Sequence, residues 1–121
     1  MDPLLIALAG LMGAAGVMLT AAGAHGKPGF GLDSAGWLLL IHAVAVVAAV
    51  AAARGGVIAR PLGSIALWGF VVGAGLFAAD VAARAWLGHR LFPFAAPTGG
   101  TVLILSWLVL VAAALMAWRA G

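Results

Sequence analysis

Four stretches of this chain, 3–24, 34–53, 62–87 and 100–118, are long, apolar and almost free of charge; within them only Asp80 and Arg84 carry a formal charge. Crossing the hydrocarbon layer of a bilayer takes roughly 20 mostly apolar residues in a helix. A backbone in lipid must also satisfy its own polar groups, which an isolated apolar run can do only as a helix. The expected fold is therefore all-α, an integral membrane bundle of four transmembrane helices in one domain over residues 1–121. Two tandem helical hairpins are one way to arrange it. Composition excludes the soluble alternative: 7% of residues are charged and 66% are hydrophobic, where a soluble domain has about 25% charged.

Breakers separate the stretches. Gly26-Lys27-Pro28-Gly29 ends the first, Arg54-Gly55-Gly56 the second, and Arg60-Pro61 opens the third. Asp33-Ser34 reads as an N-cap for the second helix, and Gly88 as the C-terminal stop of the third. Pro97, Thr98, Gly99 and Gly100 form the loop into the fourth, and the proline-broken run 91–97 is too short to span. Ala22-Gly23-Ala24 has the form of a leader-cleavage site, but Met1-Asp2-Pro3 lacks a basic start. That segment is expected to remain as a helix. Four spans place both termini on one side, with Arg54, Arg60 and Arg119, against Lys27, Arg84 and Arg90 on the other. Assigning Arg84 to the third helix breaks the tie, and the positive-inside rule then makes both termini cytoplasmic.

The first helix is rich in very small residues. At spacings of three and four, Ala9, Gly13, Gly16, Thr20 and Gly23 share a face. Such a row lets a neighbouring helix approach closely in lipid, so this helix is expected to be the central packing element. Gly69 and Gly73 give the third helix a similar face. A weak internal repeat aligns Leu38–Ala43 with Val102–Trp107, placing His42 opposite Ser106, and Gly13 and Gly16 near Gly73 and Gly75. Two like-oriented hairpins would form a parallel repeat about the membrane normal.

Ionisable residues inside a span mark candidate sites, because leaving them in lipid is costly. Asp80 lies on the glycine face of the third helix, with Arg84 one turn later in the favourable order for an ion pair. His42 lies inside the second helix, Ser106 inside the fourth, and His25 at the end of the first. Counted from the expected helix ends, these groups share one half of the bundle. A ligand or proton site of His25, His42, Asp80, Arg84 and Ser106 is one reading, since a histidine titrates near neutrality and a carboxylate partner shifts it. A structural hydrogen-bond network is the other.

Other chemistries lack their residues. No cysteine is present, and no histidine pair has helix-face ligand spacing, so no metal and no cofactor are expected. Ser34, Ser64 and Ser106 stand in no nucleophile motif, and no phosphate loop is present, so the chain is read as a non-enzyme with no catalytic residues. Six scattered Lys and Arg are too few for a nucleic-acid footprint. The bilayer is the expected partner, with a homo-oligomer or a larger membrane complex both open. The expected function is accordingly a small-solute or proton binding and transport module with a polar site in one leaflet; the alternative is an accessory or assembly subunit of a larger membrane complex with a structural polar cluster.

Taken together, Gly23–Gly26, His42-Ala43, Gly75-Leu76-Phe77 leading to Asp80, Pro97–Gly100 and Trp107 resemble the YgdD/YwdK-like family of small bacterial membrane proteins. The likeness runs over nearly the whole chain. It implies a four-helix protein of the bacterial inner membrane and carries no established substrate.

Overall fold

Each apolar stretch closes its backbone hydrogen bonds as a helix, and the computed structural model describes residues 2–121. Helix α1 spans Asp2–Ala21 and continues into one wider π-helical turn, Ala22–Gly26; α2 spans Leu32–Arg54, α3 Leu62–Trp86 and α4 Ala95–Ala120. All four are long and apolar enough to cross a membrane. The four-helix all-α reading holds.

Two helix starts differ from expectation. Helix α2 begins at Leu32, not at Ser34, and neither Asp33 nor Ser34 caps it; Gly31 does, at φ +77°. Burial decides this, because Leu32 is wholly enclosed beside Val81 and Ala85 of α3, and only glycine takes the left-handed turn before it without strain. Helix α4 begins at Ala95, so Pro97, Thr98, Gly99 and Gly100 are helical and not a loop. A proline is tolerated in the first turn, where its missing N–H would have had no partner. Gly88 adopts φ +78° just past α3, as its C-terminal position requires.

The helices form a row in chain order. Helix α1 packs on α2, α3 packs on α4, and α2 and α3 join the two hairpins; α1 only grazes α3, and among the described residues α1 and α4 do not meet. The centre is thus the α2–α3 pair and not α1, whose buried residues are the single ridge Leu5, Ala9, Met12 and Gly16. A helix with one main neighbour needs only one ridge; α2 and α3 each bury two. The core runs through Val46 of α2, Leu67, Phe70 and Ala74 of α3, and Leu103 and Ala113 of α4. At the terminal end, the Asp2 carboxylate lies 3.4 Å from Arg54 and 3.1 Å from Arg60. The connection there is seated by Ala59 N–H donating to the Ala113 carbonyl at 2.9 Å.

Both hairpins cross in the same way. A Cβ placed on Gly16 would lie 2.9 Å from the Gly36 carbonyl oxygen and against Leu40; one on Gly36 would lie 2.6 Å from both the Gly16 oxygen and the Thr20 nitrogen. In the second hairpin, a Cβ on Gly73 would lie 2.9 Å from the Gly99 oxygen and against Leu103, and one on Gly99 would lie 2.7 Å from the Gly73 oxygen and 2.8 Å from the Phe77 nitrogen. Gly16, Thr20, Gly36 and Leu40 therefore correspond to Gly73, Phe77, Gly99 and Leu103. This register pairs Ala43 with Ser106, one residue away from the alignment of His42 with Ser106. Of the expected packing glycines, Gly16, Gly23, Gly69 and Gly73 all lie where a side chain would collide, whereas Gly13 has nothing within 4 Å. The ridge that meets α2 passes through Met12 and Gly16 instead.

Candidate functional site

Polar side chains inside the spans separate into two layers. The deeper one centres on His42, which is 5% exposed. The Trp107 indole N–H donates to His42 Nε2 at 3.0 Å. Indole nitrogen is a donor only, so Nε2 must be the acceptor and the ring proton resides on Nδ1. That nitrogen lies 2.7 Å from the Leu38 carbonyl one turn earlier and donates to it. Both ring nitrogens are engaged, in a neutral tautomer assigned from these partners. Phe70 completes the group, its ring centroid 4.6 Å from Trp107 and 5.6 Å from His42 in tilted arrangements that favour ring-edge contacts.

Ser106, beside Trp107, donates its hydroxyl to the Val102 carbonyl at 2.7 Å, the local back-bond open to serine inside a helix. Its side chain fills the notch at Gly69, where any added Cβ would overlap the Ser106 hydroxyl.

Asp80 belongs to the second layer. It is 1% exposed; Oδ1 accepts the Leu91 N–H at 2.9 Å, and Oδ2 lies 3.6 Å from Arg84 Nε. Leu91 lies in the connection between α3 and α4, so the carboxylate pins that loop to α3. Arg84 keeps 40% of its side chain exposed, while its buried Nε makes no hydrogen bond. The long side chain thus carries its charge outward from the pair.

The expected cluster is not assembled. No hydrogen bond or ion pair among the described residues joins His42 to Asp80. Phe70 marks the level of His42 on α3, and Asp80 follows ten residues later, about 15 Å along the axis. The shared depth fails for two reasons: α2 starts two residues early, which places His42 deeper, and Phe70 instead of Asp80 lies opposite it. His25 is exposed on the π-helical turn, and the neighbouring Lys27 ammonium lies 5.7 Å from the Phe30 ring centroid. Trp107, Phe70 and the Leu91 N–H are partners that residue type alone did not assign. A signal for the missed helix contacts does exist, in the twice-used Gly-x-x-x-Leu-Ile of Gly36–Ile41 and Gly99–Ile104.

Open space lies elsewhere. A groove of about 620 Å³ runs between α1 and α3 above Leu39, lined among others by Leu11, Met18, Ala79 and Trp86. One of about 320 Å³ lies between α2 and α4, bordered by Ala45, Ala52, Trp107 and Leu110. No ionisable side chain lines either, and no three metal-ligating side chains converge among the described residues. Compared with protein-family models, curated proteins and solved structures, the chain matches none.

Proposed function

We propose that the protein is a non-catalytic component of the bacterial inner membrane that acts through its helix faces, as an accessory or assembly subunit of a larger membrane complex. One observation carries this reading. His42, Asp80 and Ser106 are each engaged by groups of the chain itself; Thr20 Oγ1 and Arg84 Nε are buried without a hydrogen bond, but neither residue lines the two grooves described above, which are apolar. A ligand or proton site needs polar groups with free capacity facing a cavity. A scaffold needs polar contacts that hold helices in register and leave apolar faces outward. The resemblance to YgdD/YwdK-like proteins and the cytoplasmic placement of both termini belong to the same proposal.

The small-solute or proton module keeps one observation on its side: Asp80 is an almost wholly buried carboxyl near the end of a span, the kind of residue that marks transport paths. Asp80→Asn separates the two, because an amide oxygen still accepts the Leu91 N–H while the charge is gone. Native mass spectrometry in lipid nanodiscs should show a second membrane protein retained by both wild type and Asp80→Asn, with no pH-driven flux in vesicles containing either. A flux that Asp80→Asn abolishes in a folded protein would overturn the scaffold reading.

A further inference from the structure

The two hairpins repeat one another, and the contact that joins them is used only once. Phe70 meets His42, and Val81 and Ala85 pack with Leu32 and Ala35; these residues belong to the α3 face that receives α2. By the correspondence of Gly16 with Gly73 and Gly36 with Gly99, α1 carries the counterpart of that α3 face, and α4 the counterpart of the α2 face. On α1 and its last turn it falls at Gly10, Gly13, Val17, Ala21 and Ala24; on α4 it falls at Ala95, Thr98, Leu105 and Ala112. Ala95, the counterpart of Leu32, is buried at the start of α4 and Gly13 is half-buried; the rest of both faces is uncovered. Gly10 and Gly13 have nothing within 4 Å of a would-be Cβ, Val17 is 58% exposed and Leu105 55%, and Ala21, Thr98 and Ala112 are exposed.

In a closed bundle of two equivalent hairpins, α4 would pack back on α1. Here the two do not meet, so the relation between hairpins does not close within one chain. We propose that a second copy of this chain completes it, with α4 of one copy seated on α1 of the next. Helix polarity suits the contact: α2 and α3 run antiparallel, and so do α4 and α1 of a neighbour in the same membrane orientation. Shape suits it too. Helix α1 offers Gly10, Gly13 and Ala21, with Val17 between them, and α4 offers Leu105 to enter beside the glycines, the small-against-large packing that brings helices together in lipid. Because the two faces differ, the contact is head-to-tail, which makes rings when the rotation closes and open arrays when it does not. The proposal goes beyond the scaffold function and does not depend on it.

The pair Phe70 and His42 maps onto Gly13 of one copy and Leu105 of the next, and the chain has no cysteine of its own. Full-length chains carrying Gly13→Cys and chains carrying Leu105→Cys, co-expressed and oxidised in native membranes, should give a cross-linked two-chain species. Neither alone should, and Gly13→Cys with Ile104→Cys, on the adjoining face of α4, should not. Gly10→Leu adds bulk where the chain itself has nothing, so it should abolish the oligomer seen by native mass spectrometry in nanodiscs without lowering the thermal midpoint of the single chain. A cross-link of Gly13→Cys with itself, a wild-type chain that stays monomeric, an oligomer that survives Gly10→Leu, or another protein held on these two faces in place of a copy would each overturn the proposal. Loss of a different partner elsewhere would bear only on the scaffold function.

Discussion

Replacing Gly99 by alanine adds one methyl group at the point where α3 and α4 come closest. The new carbon would lie 2.7 Å from the Gly73 carbonyl oxygen and 2.8 Å from the Phe77 nitrogen, both backbone atoms. No rotamer change relieves that collision. Since ordinary contact starts at 3.4 Å, the helices must separate by about 0.7 Å, and a gap of roughly 0.5–1 Å already forfeits a quarter to a half of each dispersion contact along the crossing. Overpacking of this kind costs about 1–3 kcal/mol. Against it stands a helix-propensity gain of roughly 1 kcal/mol for alanine over glycine, so the expected net loss is about 0–2 kcal/mol. Gly100→Ala, one residue on, is the control: nothing lies within 4 Å of its would-be Cβ, so it should be neutral or more stable by up to about 1 kcal/mol. Denaturation in bicelles followed by tryptophan fluorescence measures both. Equal midpoints for the two variants, or a more stable Gly99→Ala, would refute the close-crossing argument.

Two further outcomes follow from the polar layers. His42→Phe leaves the Trp107 N–H without its acceptor and should cost about 0.5–2 kcal/mol; in a double-mutant cycle with Trp107→Phe the two losses should be less than additive, and strict additivity would deny the bond. Asp80→Leu strips the Leu91 N–H of its acceptor and Arg84 of its counter-ion, and should cost about 1–3 kcal/mol, whereas Asp80→Asn should cost less. Amide exchange at Leu91 is the readout, since it should accelerate in Asp80→Leu and stay slow in Asp80→Asn.

How much of this was legible in the residues differs between fold and site. Apolar length sufficed for the helices, because a span leaves a charge-free run that nothing else produces. The crossing glycines were half visible: Gly16 and Gly73 stand among other small residues, whereas Gly36 is an isolated glycine in a leucine-rich helix, and its importance comes from the Thr20 and Gly16 backbone opposite. Gly99 looked like part of a loop because Pro97 and two adjacent glycines usually punctuate chains, yet proline fits a first helical turn. The site was least legible. Depth counted from helix ends inherits every error in those ends, and it ignores which residue of the neighbouring helix lies opposite. His42 also gives no sign in sequence of whether its partner is an acid or an indole; only the packing of α4 beside α3 brings Trp107 within reach.

The duplicated glycine crossing also bears on how such a chain enters its bilayer. Each crossing joins helices linked by a short connection, Lys27–Gly31 in one hairpin and Leu87–Phe94 in the other. The closest contacts of the molecule are therefore also among the most local, and local contacts form with little loop-closure entropy. That locality favours insertion hairpin by hairpin, each helix pair closing at its own glycines. What remains is a lateral meeting of two finished hairpins along α2 and α3, with the aromatic and histidine layer aligned by that meeting and not required beforehand.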